Sequence, residues 1–263
     1  MIFSFITAIA IVTSVALCLY AIALLLKDNS IMDIAYGIVF MIIGAALYGM
    51  APDASIAQKL LMLFLFAWGI RLSLRIYLRK IGKGEDFRYC AWREEWLLHG
   101  TAYFYLRTLF QVFVLQGIII LIVSLPIVLG LSSVAAAEPW VFMLGTSLFA
   151  IGYFFEALAD YQLDRFTKDP ANKGSILSHG LFRYSRRPNY FGESMIWWGM
   201  ACMAASMLDG VWAYLVFISP ITITYILLFV TGPMLERKFM TDPAYRKYAA
   251  ITSYFVPLPP RGK

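Results

Sequence analysis

Charge is what this 263-residue chain has least of: 14% of its residues are Asp, Glu, Lys or Arg, against 61% that are hydrophobic. That balance excludes an ordinary soluble globular domain. Cysteine is scarce too. Of the three present, Cys18 and Cys202 fall inside apolar runs and Cys90 in a polar connection, so neither a disulfide framework nor a zinc cluster is expected. The two histidines, His99 and His179, are widely separated, and no metal site is expected from them. There is no phosphate loop, and Gly82-Lys83-Gly84 lacks the strand and helix that frame a dinucleotide fingerprint in soluble folds. The chain shows no internal repeat, no low-complexity tract and no second domain. Its basic residues are spread among connections instead of forming one basic domain, so nucleic acid is not an expected partner.

What is present is a series of apolar runs about twenty residues long, the length that crosses a bilayer as a helix. Seven are predicted, at about 2–26, 31–50, 56–78, 103–130, 139–159, 190–208 and 211–232. The first has no basic leader and is longer than a cleaved signal, so it is read as a spanning helix. With seven spans, every Lys and Arg except Lys59 falls near the connections after spans one, three and five, or in the tail. The other connections carry Asp53, Glu138 and Asp209. This asymmetry predicts an outer N-terminus and a cytoplasmic C-terminus. The expected fold is an all-α integral membrane protein, a seven-helix bundle forming a single membrane domain over residues 1–263. The net charge of +6 follows mainly from the positive-inside bias and from contact with membrane lipids.

Ionisable residues inside spans are costly and tend to mark function. Span two opens with Asp33 and Tyr36, three apart and on one face. Asp33 either caps the helix at the interface or is an acid held partly dry; in the second case it or Tyr36 donates a hydrogen bond to a substrate carbonyl. Span three ends with Arg71, Arg75 and Arg79, of which Arg71, near Trp68, is the deepest. Span five carries Tyr153, Glu156, Asp160 and Asp164 as an acidic stripe, for which Arg107 on span four is the candidate partner. The most specific run is Gly180-Leu181-Phe182-Arg183-Tyr184-Ser185-Arg186-Arg187-Pro188-Asn189-Tyr190-Phe191-Gly192-Glu193. Pro188 suits a first helical position, so a helix start faces the arginines and offers an anion site. Asn189 and Glu193, four apart, share the face leading from that site into the membrane. The tail residues Glu236, Arg237, Tyr245, Arg246 and Tyr248 form an amphipathic segment that either closes over a cofactor or lies on the membrane.

The residues Tyr161-Gln162-Leu163-Asp164-Arg165, Gly180-Leu181-Phe182 with Tyr184, and Asn189-Tyr190-Phe191-Gly192-Glu193 with Trp197 and Gly199 resemble the steroid 5-alpha-reductase family. Glu85-Asp86-x-Arg88-Tyr89 and Gly232-Pro233-x-Leu235-Glu236 resemble signatures of a bacterial branch of it. The resemblance covers roughly residues 150–260 well and the first hundred weakly. It implies an NADPH-dependent oxidoreductase that reduces an enone in a lipophilic substrate, as in converting a 3-oxo-4-ene steroid to its 5-alpha-3-oxo product, in a bacterial inner membrane. It also implies that residues 1–135 hold the substrate, entering from the bilayer, and that residues 136–263 hold the cofactor on the cytoplasmic side. By position, Asp164, Asn189, Tyr190 and Glu193 would contact NADPH. Charge places Arg183, Arg186, Arg187, Lys168 and Lys173 near its phosphates, and Arg71, Arg107, Asp160, Tyr184, Trp197, Arg237 and Tyr245 complete the expected cofactor set. The family holds its substrate ketone with a glutamate on span two and a tyrosine on span three; the corresponding residues here are Asp33 and Trp68, with Tyr36 able to supply a hydroxyl.

Two other readings compete. Membrane methyltransferases of isoprenylated cysteine or phospholipids share the Arg-x-Pro-x-Tyr-x-Gly pattern but bind S-adenosylmethionine, which has no phosphate. A non-enzymatic membrane scaffold would treat Arg71, Glu156 and Glu193 as structural pairs.

Overall fold

A computed structural model describes residues 1–51 and 53–261, and among them the protein is all helix, with one isolated parallel bridge, Ser185 to Ser253. The helices are α1 (Ile2–Leu26), α2 (Ile31–Gly49), α3 (Ile56–Lys80), α4 (Phe87–Leu97), α5 (Thr101–Val123), α6 (Leu125–Leu131), α7 (Pro139–Lys168), α8 (Pro188–Ala205), α9 (Ile218–Tyr225), α10 (Gly232–Phe239) and α11 (Pro243–Ile251). Six stretches are long and apolar enough to cross a membrane: α1, α2, α3, α5, α7 and Trp212–Met234, which contains α9. The run expected at 190–208 does form a helix, α8, but Asn189, Tyr190, Glu193 and Ser194 make its first turns too polar for that group. No residue from Pro188 to Leu208 is exposed. Lipid demands apolarity only of the surface that meets it, so a shielded helix can carry polar groups that hydropathy counts against it.

Two other expected boundaries shift. The run 103–130 breaks at Ser124, where α5 ends and α6 begins, because Pro126 has no N–H to continue the ladder. Span five runs on to Lys168; its 30 residues make a rod of about 45 Å against a hydrocarbon core of about 30 Å. Asp160 and Asp164 lie on that extension.

The chain divides into two compact units, one of residues 1–137 with 204–216, the other of residues 138–203 with the chain from Phe217 onward. The first unit is built on α2 against α3, which approach closely at Gly37 and Gly69. A side chain at Gly37 would meet Ser73 Oγ at 2.6 Å and the Gly69 carbonyl at 2.8 Å. Phe40, Ile43, Leu61, Leu65 and Trp68 are fully buried around this contact. The start of α3 is closed by a capping box, in which Ser55 and Gln58 satisfy each other's backbone N–H groups. Gln58 also donates to the carbonyls of Leu131 and Ser133, each at 3.0 Å, which would otherwise be left open at the end of α6. α1 buries a stripe of small residues, Ser4, Ala8, Ala16 and Ala23 with Val12, and turns Ile2, Phe3, Ile6, Ile9, Leu17 and Leu25 outward.

The second unit is built on α7 against α8. Gly145 faces Gly199 and Gly152 faces Gly192, backbone against backbone: a Cβ at Gly152 would lie 2.6 Å from the Gly192 carbonyl. Small residues let membrane helices approach closely enough for dispersion to hold them. Farther along, Ser194 Oγ and Thr224 Oγ1 share a 2.6 Å hydrogen bond and Trp198 donates to the same threonine, tying α8 to α9.

Candidate functional site

Each unit carries a cluster of ionisable residues. In the first, the cluster surrounds Asp33 at the start of α2. Asp33 Oδ2 accepts from Arg88 Nη2 at 2.9 Å and Oδ1 from the Tyr89 hydroxyl at 2.8 Å, while Gln116 donates to that hydroxyl at 3.1 Å. Arg88 and Tyr89 open α4. Asp86 caps that helix, accepting from Arg88 N at 3.0 Å and from Arg88 Nε at 2.9 Å. Glu85 holds the connection between α1 and α2: it takes both Nε and Nη2 of Arg93 (2.8 and 2.9 Å) and the Asn29 N–H (2.7 Å). Lys80 closes the other side, pairing with Asp28 at 2.6 Å and bonding Ser30. The Glu85-Asp86-x-Arg88-Tyr89 signature therefore has a physical role. It fixes a short helix beside the start of α2 and the end of α3 and delivers two donors to Asp33.

The electrostatics follow. Burial would raise the Asp86 carboxyl, but the side-chain and backbone bonds from Arg88 outweigh it and hold it below the usual range. Burial and the Asp33 carboxylate push the Tyr89 phenol up, so that it remains a donor. Asp33, expected either to cap the helix or, with Tyr36 as the alternative, to donate to a substrate carbonyl, here accepts from a guanidinium and a phenol. Tyr36 packs edge-on against Phe40 (5.0 Å between ring centres) and Trp68 (6.4 Å), and Trp68 is fully buried. Gln116 follows a π-helical stretch, Thr108–Val114, that rotates the rest of α5 by an inserted residue. The local sequence gives no sign of it.

The second cluster surrounds the two arginines before α8. The Arg187 carbonyl accepts the first helical bond, from Phe191 N at 3.1 Å, so the helix begins at Pro188 as the sequence predicts. The C-terminal segment is laid along the arginine loop. Arg186 N donates to Ser253 O (2.8 Å), Ser185 Oγ to Phe255 O (2.7 Å), Leu258 N to Tyr184 O (3.0 Å) and Tyr248 to Phe182 O (2.5 Å). Arg187 N in turn donates to Ser185 Oγ at 3.0 Å. Arg186 Nη1 pairs with Glu236 Oε1, and Tyr245 donates to Glu236 Oε2 at 3.0 Å. The Arg186 guanidinium lies 5.1 Å above the Tyr254 ring, and that of Arg187 lies 5.9 Å from the Tyr190 ring and 5.8 Å from Phe239. Both arginine side chains are largely buried, 12% and 15% exposed, with Glu236 between them at 12%. Two guanidiniums thus meet one carboxylate, and Arg186 Nε with Arg187 Nε and Nη2 are buried donors without a hydrogen-bond acceptor among the described residues. A buried cation so placed calls for an anion. Burial pushes the Arg186 guanidinium down, the same imbalance seen from the proton's side.

Glu236 owes its place to the Gly232-Pro233 signature. A π turn, Ile226–Thr231, precedes it, and a side chain on Gly232 would strike the Tyr254 hydroxyl, which donates to Leu228 O at 3.3 Å. The signatures of the α7–α8 connection are also structural. Gln162 Oε1 accepts from Leu181 N at 2.9 Å, and Gly180, at φ +60°, leaves room for that amide. Gly192 sits against the backbone of Glu156, so any larger residue would separate α7 from α8 there.

Of the residues expected at the cofactor, Arg186, Arg187, Tyr190 and Tyr245 come together around Glu236. Asp160, 3% exposed, lies with Glu156 on the α7 face behind Gly192, and Asn189, Glu193 and fully buried Trp197 lie on α8. Asp164 is half-buried beyond them. Lys168, Lys173, Arg183, Tyr184 and Arg237 are exposed. Arg107 is exposed and lies over the rings of Trp96 (5.6 Å) and Tyr103 (5.8 Å) within the first unit. Arg71, half-buried on α3, also belongs to the first unit. Among the described residues, no group of three His, Cys, Asp or Glu could hold a metal ion.

3-Oxo-5-alpha-steroid 4-dehydrogenase 1 of Bos taurus is 31% identical over 119 residues, covering 42% of this chain and 43% of that protein. An uncharacterized protein of Schizosaccharomyces pombe is 30% identical over 172 residues, covering 57% of this chain and 49% of its own. The match thus spans about half the length of either relative. No solved structure matches the chain. A family described as "Protein of unknown function (DUF1295)" matches residues 19–252, and the chain belongs to it, a steroid 5-alpha-reductase-like family of multi-pass membrane proteins.

Proposed function

We propose that the protein is a membrane-embedded, NADPH-dependent reductase of a carbon–carbon double bond conjugated to a ketone in a lipophilic substrate. One observation carries the reading: among the described residues, the second unit buries two arginines against a single carboxylate and leaves three guanidinium nitrogens without acceptors. A phosphate supplies what they lack, and a dinucleotide has several. S-adenosylmethionine has none, so the methyltransferase alternative is not favoured. The similarity to a 3-oxo-5-alpha-steroid 4-dehydrogenase supports the same reaction class, with steroids as the first substrates to test.

In this reading the positive charge of Arg186 and Arg187 draws phosphate to the start of α8, and Asn189, Tyr190, Glu193, Asp160 and Asp164 on α7 and α8 are the polar groups for the rest of the nucleotide. NADPH bound there would supply hydride. In the first unit Tyr36 donates the hydrogen bond to the substrate carbonyl and stabilises the enolate-like charge on its oxygen. Asp33 is the acceptor that holds Arg88 and Tyr89 in place, and Trp68 with Phe40 forms the apolar wall. We further propose that α8 is the seventh crossing, giving an outer N-terminus and a cytoplasmic arginine cluster in a bacterial inner membrane. Its 18 residues span about 27 Å.

The test uses the purified full chain. NADPH should raise its thermal midpoint and S-adenosylmethionine should not; a shift with the methyl donor alone reverses the assignment. Loss of NADPH absorbance with a panel of enones, 3-oxo-4-ene steroids included, then identifies the substrate class.

A further inference from the structure

The two arginines beside Glu236 are not equivalent, and the difference assigns them separate tasks. Arg186 is the more firmly held, with only its Nε lacking an acceptor among the described residues. Its Nη1 is committed to Glu236, its backbone N–H to Ser253 O, and its guanidinium lies over the ring of Tyr254. Arg187 has a different inventory. Its backbone is fixed by Ser185 Oγ, and its guanidinium lies close to the rings of Tyr190 and Phe239. Glu236 Oε2 stands 3.9 Å from its Nη2, near enough for attraction and too far for a hydrogen bond. Its Nε and Nη2 have no acceptor among the described residues. These two nitrogens form one edge of the guanidinium, whose N–H bonds run parallel and match two oxygens of one phosphoryl group.

We infer that Arg187 is the phosphate clamp of this site, binding two oxygens of one phosphoryl group through its Nε–Nη2 edge, while Arg186 is a positioning residue held by Glu236. The inference rests on the reading of the second unit as a nucleotide site and goes further, because charge alone ranks the two arginines equally. Glu236 is the reason they differ. It satisfies Arg186 and, at 3.9 Å, leaves Arg187 attracted but unbound. The same chemistry has two sources, the phosphates of a nucleotide and those of an anionic lipid headgroup, and the experiment separates them.

The full chain is purified in a maltoside, and its equilibrium affinities for NADPH, NADH and phosphatidylglycerol are measured for wild type, Arg187→Lys and Arg186→Lys. Lysine keeps the charge and loses the parallel donors. A charge-assisted hydrogen bond contributes about 1.5–3 kcal/mol, so Arg187→Lys should weaken NADPH by roughly tenfold to a hundredfold or more. Arg186→Lys should lower the thermal midpoint and weaken NADPH by clearly less than Arg187→Lys does; an equal or greater loss at Arg186 refutes the division of tasks. Equal losses for NADPH and NADH place the clamp on the diphosphate, and a loss confined to NADPH places it on the 2′-phosphate. If wild type binds NADPH and Arg187→Lys matches it, the clamp is wrong and the proposed function stands. If wild type binds no NADPH, the proposed function falls, and the clamp is then decided by phosphatidylglycerol: lost in Arg187→Lys, it stands; unchanged, it fails. Should Arg187→Lys not fold, wild type alone decides, because inorganic phosphate must raise its thermal midpoint above that in chloride of equal ionic strength.

Discussion

Replacing Glu236 by Gln removes one charge from a buried group of three and leaves the shape almost unchanged. The structure allows the consequence to be worked out. Glu236 is 12% exposed, pairs with Arg186 at contact distance, attracts Arg187 at 3.9 Å and accepts from Tyr245 at 3.0 Å. Gln can keep the Tyr245 bond but removes the one carboxylate that, among the described residues, pairs with these two largely buried guanidiniums. Breaking a buried pair in this way costs about 3–5 kcal/mol, most of it the desolvation of the charge left behind. For a chain of this size, each kcal/mol moves a thermal midpoint by about 2–4 °C, so Glu236→Gln should melt on the order of 10 °C lower in chloride buffer. The same change makes the site more positive, so added inorganic phosphate should recover more of the midpoint in the variant than in wild type. Tryptophan-fluorescence melts of the purified chain in matched chloride and phosphate buffers measure both effects. A variant that melts with wild type, or one that phosphate does not rescue, would refute the claim that these arginines are short of negative charge.

Three further predictions concern the other parts of the molecule. Tyr36→Phe should reduce turnover by about a hundredfold with little change in NADPH affinity, as expected for loss of one donor to a developing oxyanion, whereas Asp33→Asn should also loosen α4, read as faster hydrogen exchange over residues 87–97. Asp28 and Asp86 are both held below the ordinary aspartate value of 3.8, so their contribution is complete above that value and is lost as pH falls through their lower folded values. Thermal midpoints should therefore drop on acidification below about pH 4, and Asp86→Asn should flatten that drop. Gly192→Leu should prevent stable assembly of the second unit, because its side chain would enter the Glu156 backbone; wild-type yield and melting behaviour in that variant would show that α7 and α8 do not meet there.

The helices were legible in the sequence because bilayer length and apolar composition leave little freedom. α1, α2 and α3 fall where the runs end, and α8 starts at Pro188, where the missing N–H costs nothing. The exceptions have local causes. Pro126 divides the fourth run, and α8 escapes the hydropathy test because its surface is covered by protein. Of the second cluster, Arg186 and Arg187 could be named from their place before the helix. Glu236 was visible as part of an amphipathic tail and of the Gly232-Pro233 signature but not as a partner, since its meeting with Arg186 spans fifty residues. Tyr89 and Arg88 carried a recognisable signature with no visible task, because their acceptor, Asp33, lies more than fifty residues away.

Composition, the spacing of apolar runs and the placement of Arg, Pro and Gly by themselves settled that this is a helical membrane protein with two arginines placed just before a helix start. Only the tertiary structure decided which charges are matched. Pairing depends on distances between groups remote in the chain, and the register of α10 depends on a π turn that local sequence does not announce. Thus Asp33 became an acceptor, Arg107 a partner of aromatic rings, and Arg187 the guanidinium with an edge still open.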